Sequence, residues 1–182
     1  MVKKVSIWLT LEPLLSFESL HLAAISKKLG KSHVTVGKQL SAFERLGIVK
    51  SEKKGRQVFY KLREDPLIVD YLTIVEKERL IRKCRSDLVL KELVNKLHSL
   101  KNPIILFGSA VDSMKKARDV DLLIIGNVKK EVFSELGKKL NLKFHLIVVK
   151  DEKEISEALK LEVKKRHLII QGSERWVKWL IS

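Results

Sequence analysis

Apolar residues at helical spacing predict three helices in the first third of the chain. Residues 2–15 are predicted as the first helix, and residues 21–29, which carry an apolar face, as a second helix that stops at Gly30. Ser32 is a good N-cap for the third helix, in which apolar residues recur until Gly47 ends it. The pattern therefore predicts three helices joined by short connections.

The pattern then changes to two short strands and returns to a helix. Residues 48–50 and 57–62 have strand length and lie on either side of the polar, glycine-containing segment 51–56, so they predict a hairpin. Asp65-Pro66 predicts the start of a linker helix, because aspartate is a favoured N-cap and proline suits the first helical position. Apolar residues at helical spacing continue this linker helix.

The remaining chain combines helices with strands around one sheet. A helix is predicted from Ser86 to about Leu100, and Asn102-Pro103 ends it. Four apolar runs of strand length follow, separated by charged helical stretches, and they cover residues 104–107, 120–125, 144–149 and 168–170. We therefore predict an α+β fold in three parts, which are an N-terminal domain 1–64, a linker helix 65–86 and a C-terminal domain 87–182.

Composition limits the class of protein. The 182 residues suffice for two small domains, and 45% hydrophobic with 32% charged residues is typical of a soluble globular protein. The single cysteine, Cys84, excludes an internal disulfide framework and favours a reducing compartment, so we expect a cytoplasmic protein. No run of 18 apolar residues occurs, so we expect no membrane span.

The charge balance favours a polyanionic partner. Lys and Arg number 37 against 22 Asp and Glu, which gives a net charge of +15. Residues 1–64 hold 13 basic and 5 acidic side chains, whereas residues 65–100 hold 7 and 6. The basic N-terminal part therefore points to nucleic acid, although abundant charge on solvated helices is also found in thermophilic proteins.

The order of three helices, a tight turn before the third and a basic hairpin resembles the winged helix-turn-helix family across nearly all of residues 1–64. The resemblance implies duplex DNA as the partner, with the third helix in the major groove and the hairpin on the backbone or minor groove. The implied DNA-binding residues are His33, Thr35, Lys38 and Gln39 on the helix and Lys53, Lys54 and Arg56 on the hairpin.

Two alternatives accompany this resemblance. The same scaffold also serves protein contacts, although the charge of residues 1–64 favours DNA. Winged-helix modules usually bind two half-sites as homodimers, and the apolar stripe of the helix starting at Asp65 is one surface for this. Packing between the two domains would explain the same stripe equally well.

A second motif lies in the C-terminal part. A predicted strand ends at Gly108-Ser109. After nine intervening residues the sequence reads Asp119-Val120-Asp121, which is followed by an apolar run. This string resembles the Gly-Ser and Asp-x-Asp signature of the DNA polymerase beta-like nucleotidyltransferases, particularly their short archaeal and bacterial members. The resemblance covers about residues 87–182 and implies a mixed sheet flanked by helices.

The resemblance implies a site for ATP or another nucleotide with Mg²⁺. Gly108 would let the backbone approach a triphosphate, and Ser109 would begin a short helix at an anion site. Asp119 and Asp121, two apart on a strand, would share a face and hold Mg²⁺ against the phosphates. A carboxylate pair solvated at the start of a strand is the structural alternative.

This sequence departs from the family pattern in two places. The segment after Ser109 lacks the usual Arg and Gly, and Lys115 and Lys116 are the candidates to replace the missing positive charge. On the later strand, His145 stands where the family has its third carboxylate, and Mg²⁺ prefers oxygen ligands to imidazole.

These departures leave two alternatives for the second domain. His145 is either a catalytic base or an ordinary strand histidine, and Asp112 and Asp151 are the candidate substitutes for the third acid. We predict a DNA-binding transcriptional regulator whose second domain only binds nucleotide or is degenerate. The alternative is an active Mg²⁺-dependent nucleotidyltransferase that uses ATP to modify a protein or another hydroxyl acceptor.

Overall fold

The computed structural model describes residues 6–15, 19–117 and 119–182, and it has an α+β fold with two sheets. The chain divides into two compact units, Met1–Glu78 and Arg79–Ser182. The boundary lies within the predicted linker helix, between the two boundaries that the sequence suggested. Each unit contains one of the two sheets.

In its described residues, the first unit combines helical segments with a three-stranded antiparallel sheet of order β1-β3-β2, and it also includes the first part of the helix that follows the hairpin. Its elements are a 3₁₀ helix Ile7–Leu14, β1 Leu20–His21, α1 Leu22–Leu29, α2 His33–Arg45, β2 Val49–Lys54 and β3 Gln57–Leu62. Gly30 ends α1 in the left-handed conformation, with φ of 61°. The Ser32 hydroxyl caps α2 by accepting from the Thr35 amide at 3.2 Å. The helix, helix and hairpin that were predicted from residue 21 onward are therefore present.

The first helical segment differs from the prediction. Residues 1–5 of the predicted helix lie outside the described residues, and the described segment Ile7–Leu14 is a 3₁₀ helix that contains Pro13. Proline has no backbone N–H, and in an α-helix its ring clashes with the carbonyl four residues earlier, so Pro13 disfavours a regular α-helix over this segment. Leu11 and Leu14 of this segment are fully buried. The predicted helix is therefore present over Ile7–Leu14, and the type of helix was wrong.

The hairpin also extends further than the prediction. β2 runs to Lys54 and β3 starts at Gln57, so the turn consists of Gly55 and Arg56 rather than six residues. The two-residue strand β1, which pairs with β3 at Tyr60 and Phe59, was not predicted. A strand this short leaves no periodicity in the sequence.

Two helices follow the hairpin. α3 spans Ile68–Ser86, three residues after the predicted start at Asp65, whose carboxylate accepts from the Leu67 amide at 2.8 Å. α4 spans Leu88–Leu97 and is capped by Asp87, which accepts from the Leu90 amide at 3.0 Å. The predicted extension of this helix to Leu100 is a 3₁₀ turn instead.

The second unit is built on a four-stranded mixed sheet of order β6-β5-β4-β7. Its elements after α4 are β4 Ile104–Phe107, β5 Val120–Ile125, α5 Lys130–Leu140, β6 Phe144–Val149, α6 Glu157–Lys165, β7 His167–Gln171 and α7 Ser173–Ile181, with 3₁₀ turns at Gly108–Val111 and Glu152–Glu154. β4 is antiparallel to β5 and β7, and β5 is parallel to β6. Three of the strands have the predicted bounds, and β7 is one residue longer at each end.

Apolar side chains of alternate strand residues form the core of this unit. Leu106, Leu122 and Leu168 of the sheet belong to one buried cluster with Leu93 of α4 and Phe133 of α5. Because Ile105, Leu123 and Ile169 on the opposite face are also fully buried, strands β4, β5 and β7 are covered on both faces. None of the described helices is both long and apolar enough to cross a membrane.

Candidate functional site

The Gly-Ser turn lies directly against Asp121. Gly108 follows β4 with φ of +73°, and a Cβ atom placed there would lie 2.7 Å from Asp121 Oδ2. Glycine is therefore required both by the backbone conformation and by the close approach of the carboxylate. The Gly108 amide donates to the Arg166 carbonyl at 3.3 Å, so it is already engaged within the protein. Ser109 is exposed at the start of the 3₁₀ turn that was predicted as a short helix.

The two carboxylates of the Asp-x-Asp motif occupy different settings. Asp119 lies just before β5 rather than within it, so the predicted placement of both residues on the strand is wrong for Asp119. Its Oδ1 is 3.6 Å from Lys143 Nζ, in an exposed pair. Asp121 is the second residue of β5, and its side chain is 26% exposed. The motif therefore supplies one carboxylate from within β5 and one from the residue just before it.

His145 lies beside Asp121. The two residues are direct neighbours in the parallel β5–β6 register, so their side chains share one face of the sheet. His145 Nδ1 lies 3.2 Å from Asp121 Oδ1. The imidazole is 67% exposed. The sequence therefore predicted the position of His145, and the structure adds a direct contact with the carboxylate.

The donor set fits one Mg²⁺ ion better than two. Asp119 and Asp121 provide carboxylate oxygens, and Mg²⁺ often takes one or two carboxylates and completes its shell with phosphates and water. Among the described residues, no group of three His, Cys, Asp or Glu side chains is placed to hold a metal ion. The two suggested substitutes are engaged: Asp112 pairs with Arg166 at 3.2 Å, and Asp151 accepts from the Lys153 amide at 2.7 Å.

The predicted phosphate-binding lysines follow the 3₁₀ turn. Lys115 and Lys116 are both exposed, and neither has an ion-pair partner within the described part of the chain. Lys115 lines a cavity of about 350 Å³, and Lys116 is not among its lining residues. The structure therefore separates two lysines that the sequence treated as equivalent.

Two residues that sequence reasoning did not select hold the segment between the motifs. Lys83 Nζ donates to the Val111 carbonyl at 2.9 Å, and Asp87 Oδ2 accepts from the Met114 amide at 3.3 Å. Both residues line the same cavity as Lys115. An aspartate just before an apolar helical run was a signal for an N-cap, but its second acceptor role depends on a contact that is distant in sequence.

In the first unit, the start of α2 is exposed at three of its four predicted DNA-binding positions. His33, Thr35 and Lys38 are exposed, and Thr35 Oγ1 lies 2.9 Å from the Ser32 hydroxyl. Gln39 is half-buried, and its amide oxygen accepts from Thr10 Oγ1 at 2.6 Å. The expected exposure of Gln39 is therefore not found, because its side chain turns toward the 3₁₀ helix.

The β2–β3 hairpin projects into solvent. Every residue from Lys50 to Val58 is exposed, so neither face of the outer hairpin is covered. Lys53 and Lys54 lie within β2 rather than in the turn, and Arg56 lies in the turn. Lys54 pairs with Glu52 at 3.4 Å, whereas Lys53 and Arg56 have no acidic partner among residues 6–15, 19–117 and 119–182. The hairpin therefore presents uncompensated positive charge.

Glu44 connects the helix with the hairpin. Its carboxylate accepts from both the amide and the hydroxyl of Ser51, so α2 and β2 are held together near the base of the hairpin. Sequence analysis did not identify this residue.

In comparisons with known proteins, no family model and no curated protein matches the sequence.

Proposed function

We propose that this chain is a DNA-binding transcriptional regulator with a winged helix-turn-helix unit and a nucleotidyltransferase-like unit. The observation that carries DNA binding is the projecting hairpin, in which Lys53 and Arg56 are exposed without acidic partners in the described chain. Uncompensated basic groups on an exposed element attract phosphates and release counterions on binding. The exposed residues His33 and Lys38 at the start of α2 support the same partner.

The charge distribution favours DNA over a protein partner for this surface. Protein interfaces are depleted of lysine at their centres, where desolvation of a charge is costly. The exposed hairpin from Lys50 to Val58 contains four basic residues and a single acidic one, Glu52. A hairpin of this composition suits the phosphate backbone or the minor groove.

The DNA prediction is tested by replacing the hairpin charges. We expect the triple substitution Lys53→Ala/Lys54→Ala/Arg56→Ala to weaken binding to duplex DNA and to lower the salt slope by about one per lost phosphate contact. The measurement is fluorescence anisotropy of a labelled duplex at several salt concentrations. The matched control is Lys91→Ala/Lys96→Ala, which removes exposed positive charge from α4 of the second unit.

The control separates a defined interface from general attraction by the net charge of +15. An equal loss of binding per charge removed from hairpin and control would contradict the proposal.

The same titrations report stoichiometry, and we propose a homodimer with two chains per duplex. Ile74, which is exposed on α3, belongs to its proposed contact surface, and a cytoplasmic location fits this function.

For the second unit we propose nucleotide binding without turnover, or loss of both. The support is that both carboxylates are engaged within the protein, Asp119 by Lys143 and Asp121 by the imidazole of His145. In the two-metal scheme, carboxylates are needed to hold both ions. Because His145 stands in place of the third carboxylate, we propose that these residues bind at most one Mg²⁺ ion, which ATP would carry.

The alternative is an active Mg²⁺-dependent nucleotidyltransferase that modifies a protein or another hydroxyl. The observation that favours it is the Asp121–His145 contact of 3.2 Å, because an imidazole oriented by a carboxylate can act as a general base. In this function, Asp121 would orient the imidazole and His145 would accept the proton of the attacking hydroxyl.

Calorimetric titration with ATP and Mg²⁺ distinguishes these functions, with Asp119→Ala/Asp121→Ala as the control. We expect heat of binding for the wild-type protein and none for the double variant, and no ATP consumption by either. ATP consumption by the wild type that is lost in the variant would establish the alternative. Absence of binding to both proteins would mean a degenerate unit.

A further inference from the structure

β6 is an edge strand of its sheet. In the order β6-β5-β4-β7, β5 is the only strand among the described residues that pairs with it. The Val120 amide donates to the Lys143 carbonyl and the Gly126 amide to the Val149 carbonyl, each at 2.8 Å, so the backbone groups of odd-numbered residues face β5. Because these groups alternate along a strand, those of Phe144, Leu146 and Val148 point away from the sheet.

This outer edge has the features of a template for another strand. β6 is six residues long, and only His145 in its sequence Phe-His-Leu-Ile-Val-Val is polar. Within the described part of the chain, the backbone N–H and C=O groups of Phe144, Leu146 and Val148 form no hydrogen bonds. Proteins usually protect such edges with charge, proline or a covering element. β6 contains neither proline nor a charged lysine or carboxylate.

A groove lies between this edge strand and α5. Its volume is about 450 Å³, and it is formed by α5, the residues before β6 and the first part of β6. The apolar side chains Phe133, Phe144 and Leu146 line it. The charged residues that line it are all lysines, namely Lys130, Lys138 and Lys143. Lys130, Ser134 and Lys138 recur every four residues, so they form one face of α5.

We propose that this edge and groove bind an extended acidic segment of a partner protein, which adds to β6 as a further strand. The outward backbone groups of β6 would pair with the main chain of the segment, as in β-strand addition. Every second side chain of the segment would face α5, so apolar side chains there would cover Phe144 and Leu146 and carboxylates there would lie near Lys130 and Lys138. Backbone pairing gives affinity, and the lysines select acidic sequences.

The same features disfavour two other occupants. A second copy of β6 would bring no carboxylate to the lysines of the groove, because its six residues include no Asp or Glu and Lys143 and Lys150 flank it. Single-stranded nucleic acid gains affinity by stacking bases on exposed aromatic rings. Phe133 is only 3% exposed, and Phe144 is partly buried against the core. An acidic peptide uses both the backbone edge and the charge.

The test uses a labelled peptide of about eight residues, a normal strand length, in which one face of the strand carries alternating Val and Glu and the other face carries Thr. Binding to the full chain is measured by fluorescence anisotropy, beside the matched peptide in which Lys replaces Glu. Val148→Pro removes an outward N–H without removing a bond to β5, and Val148→Thr is its control because it keeps the N–H. We expect Val148→Pro and Lys130→Glu/Lys138→Glu each to weaken binding by roughly tenfold, and Val148→Thr to leave it within about threefold.

A thermal melt of each variant shows whether it folds. If Val148→Pro does not fold, an acidic peptide N-methylated on alternate residues tests the same backbone pairing on the wild-type protein, and its affinity should fall similarly. Equal binding of the acidic and basic peptides, or full binding of the N-methylated one, would overturn the proposal. Displacement of the acidic peptide by oligodeoxythymidine would show that nucleic acid binds this edge. A protein dimer that Val148→Pro abolishes would show that a second copy of the chain binds it, and either result would overturn the proposal.

Discussion

Gly108 decides how closely the backbone approaches Asp121. Its φ of +73° is in the left-handed region, and a Cβ atom would lie 2.7 Å from the Asp121 carboxylate. Gly55 in the hairpin turn has a similar φ of +61°, but no heavy atom lies within 4 Å of its virtual Cβ. A comparison of alanine substitutions at the two glycines therefore separates the free-energy cost of backbone strain from that of the clash with Asp121.

We expect Gly108→Ala to lower the free energy of unfolding by about 2–3 kcal/mol and Gly55→Ala by about 1 kcal/mol, because only the first displaces a carboxylate. Urea denaturation of the two variants measures this difference. If both variants lose the same stability, then Asp121 is not held against the turn, and the site geometry given above is wrong.

Single residues were predicted well where their role depends on local sequence. Ser32 was predicted as a cap, and the structure has this cap. Gly108 was selected for the approach of its backbone to a triphosphate, and its close approach to Asp121 was not predicted. The ion pair of Asp119 with Lys143 and the inward turn of Gln39 were not predicted. Both depend on neighbours that are distant in sequence, which residue spacing does not specify.

Among the elements, α7 is held by an ion pair in addition to its buried tryptophans. Arg175 contacts the Glu152 carboxylate with two nitrogens, and the Nη2 distance to Oε2 is 2.8 Å. The hydrogen bonds from Arg175 hold the pKa of Glu152 below its ordinary value of 4.5. A carboxyl group with a lowered pKa in the folded state stabilises that state above pH 4.5, and the stabilisation is lost as the pH falls through the folded-state pKa.

We therefore expect Glu152→Gln to lower the free energy of unfolding by about 1 kcal/mol at pH 7, a figure reduced for the exposure of Arg175 to solvent. Below pH 4.5 the difference from wild type should shrink. Urea denaturation at several pH values measures it. The control Glu174→Gln removes the exposed pair with Lys178 on the same helix and should have a smaller effect. A difference that stays constant with pH would contradict this role of Glu152.

Elements with strong local signals were predicted with their bounds. β4, β5 and β6 are apolar runs ended by glycine or polar residues, and each begins and ends where the sequence indicated. The 3₁₀ form of Ile7–Leu14 and the short β1 were missed. Helix type at a proline and a two-residue strand depend on tertiary packing more than on periodicity.

At the scale of the whole molecule, the sequence predicted an α+β chain in which a helix follows one sheet and precedes the other along the sequence. The structure has this order of elements. The unit boundary after Glu78 was not predictable, because the apolar pattern of α3 continues across it without a break. Likewise, the strand order β6-β5-β4-β7 is a nonlocal property. It creates the contact of His145 with Asp121 and the free edge of β6.

The most direct test of a sequence-specific regulator is selection of bound duplexes from a random DNA pool. We expect the wild-type protein to enrich one motif, and His33→Ala/Thr35→Ala to lose the preference at some of its positions while it keeps nonspecific affinity. The hairpin variant Lys53→Ala/Lys54→Ala/Arg56→Ala should instead lose affinity for all sequences. Enrichment of no motif by the wild-type protein would contradict the proposed function.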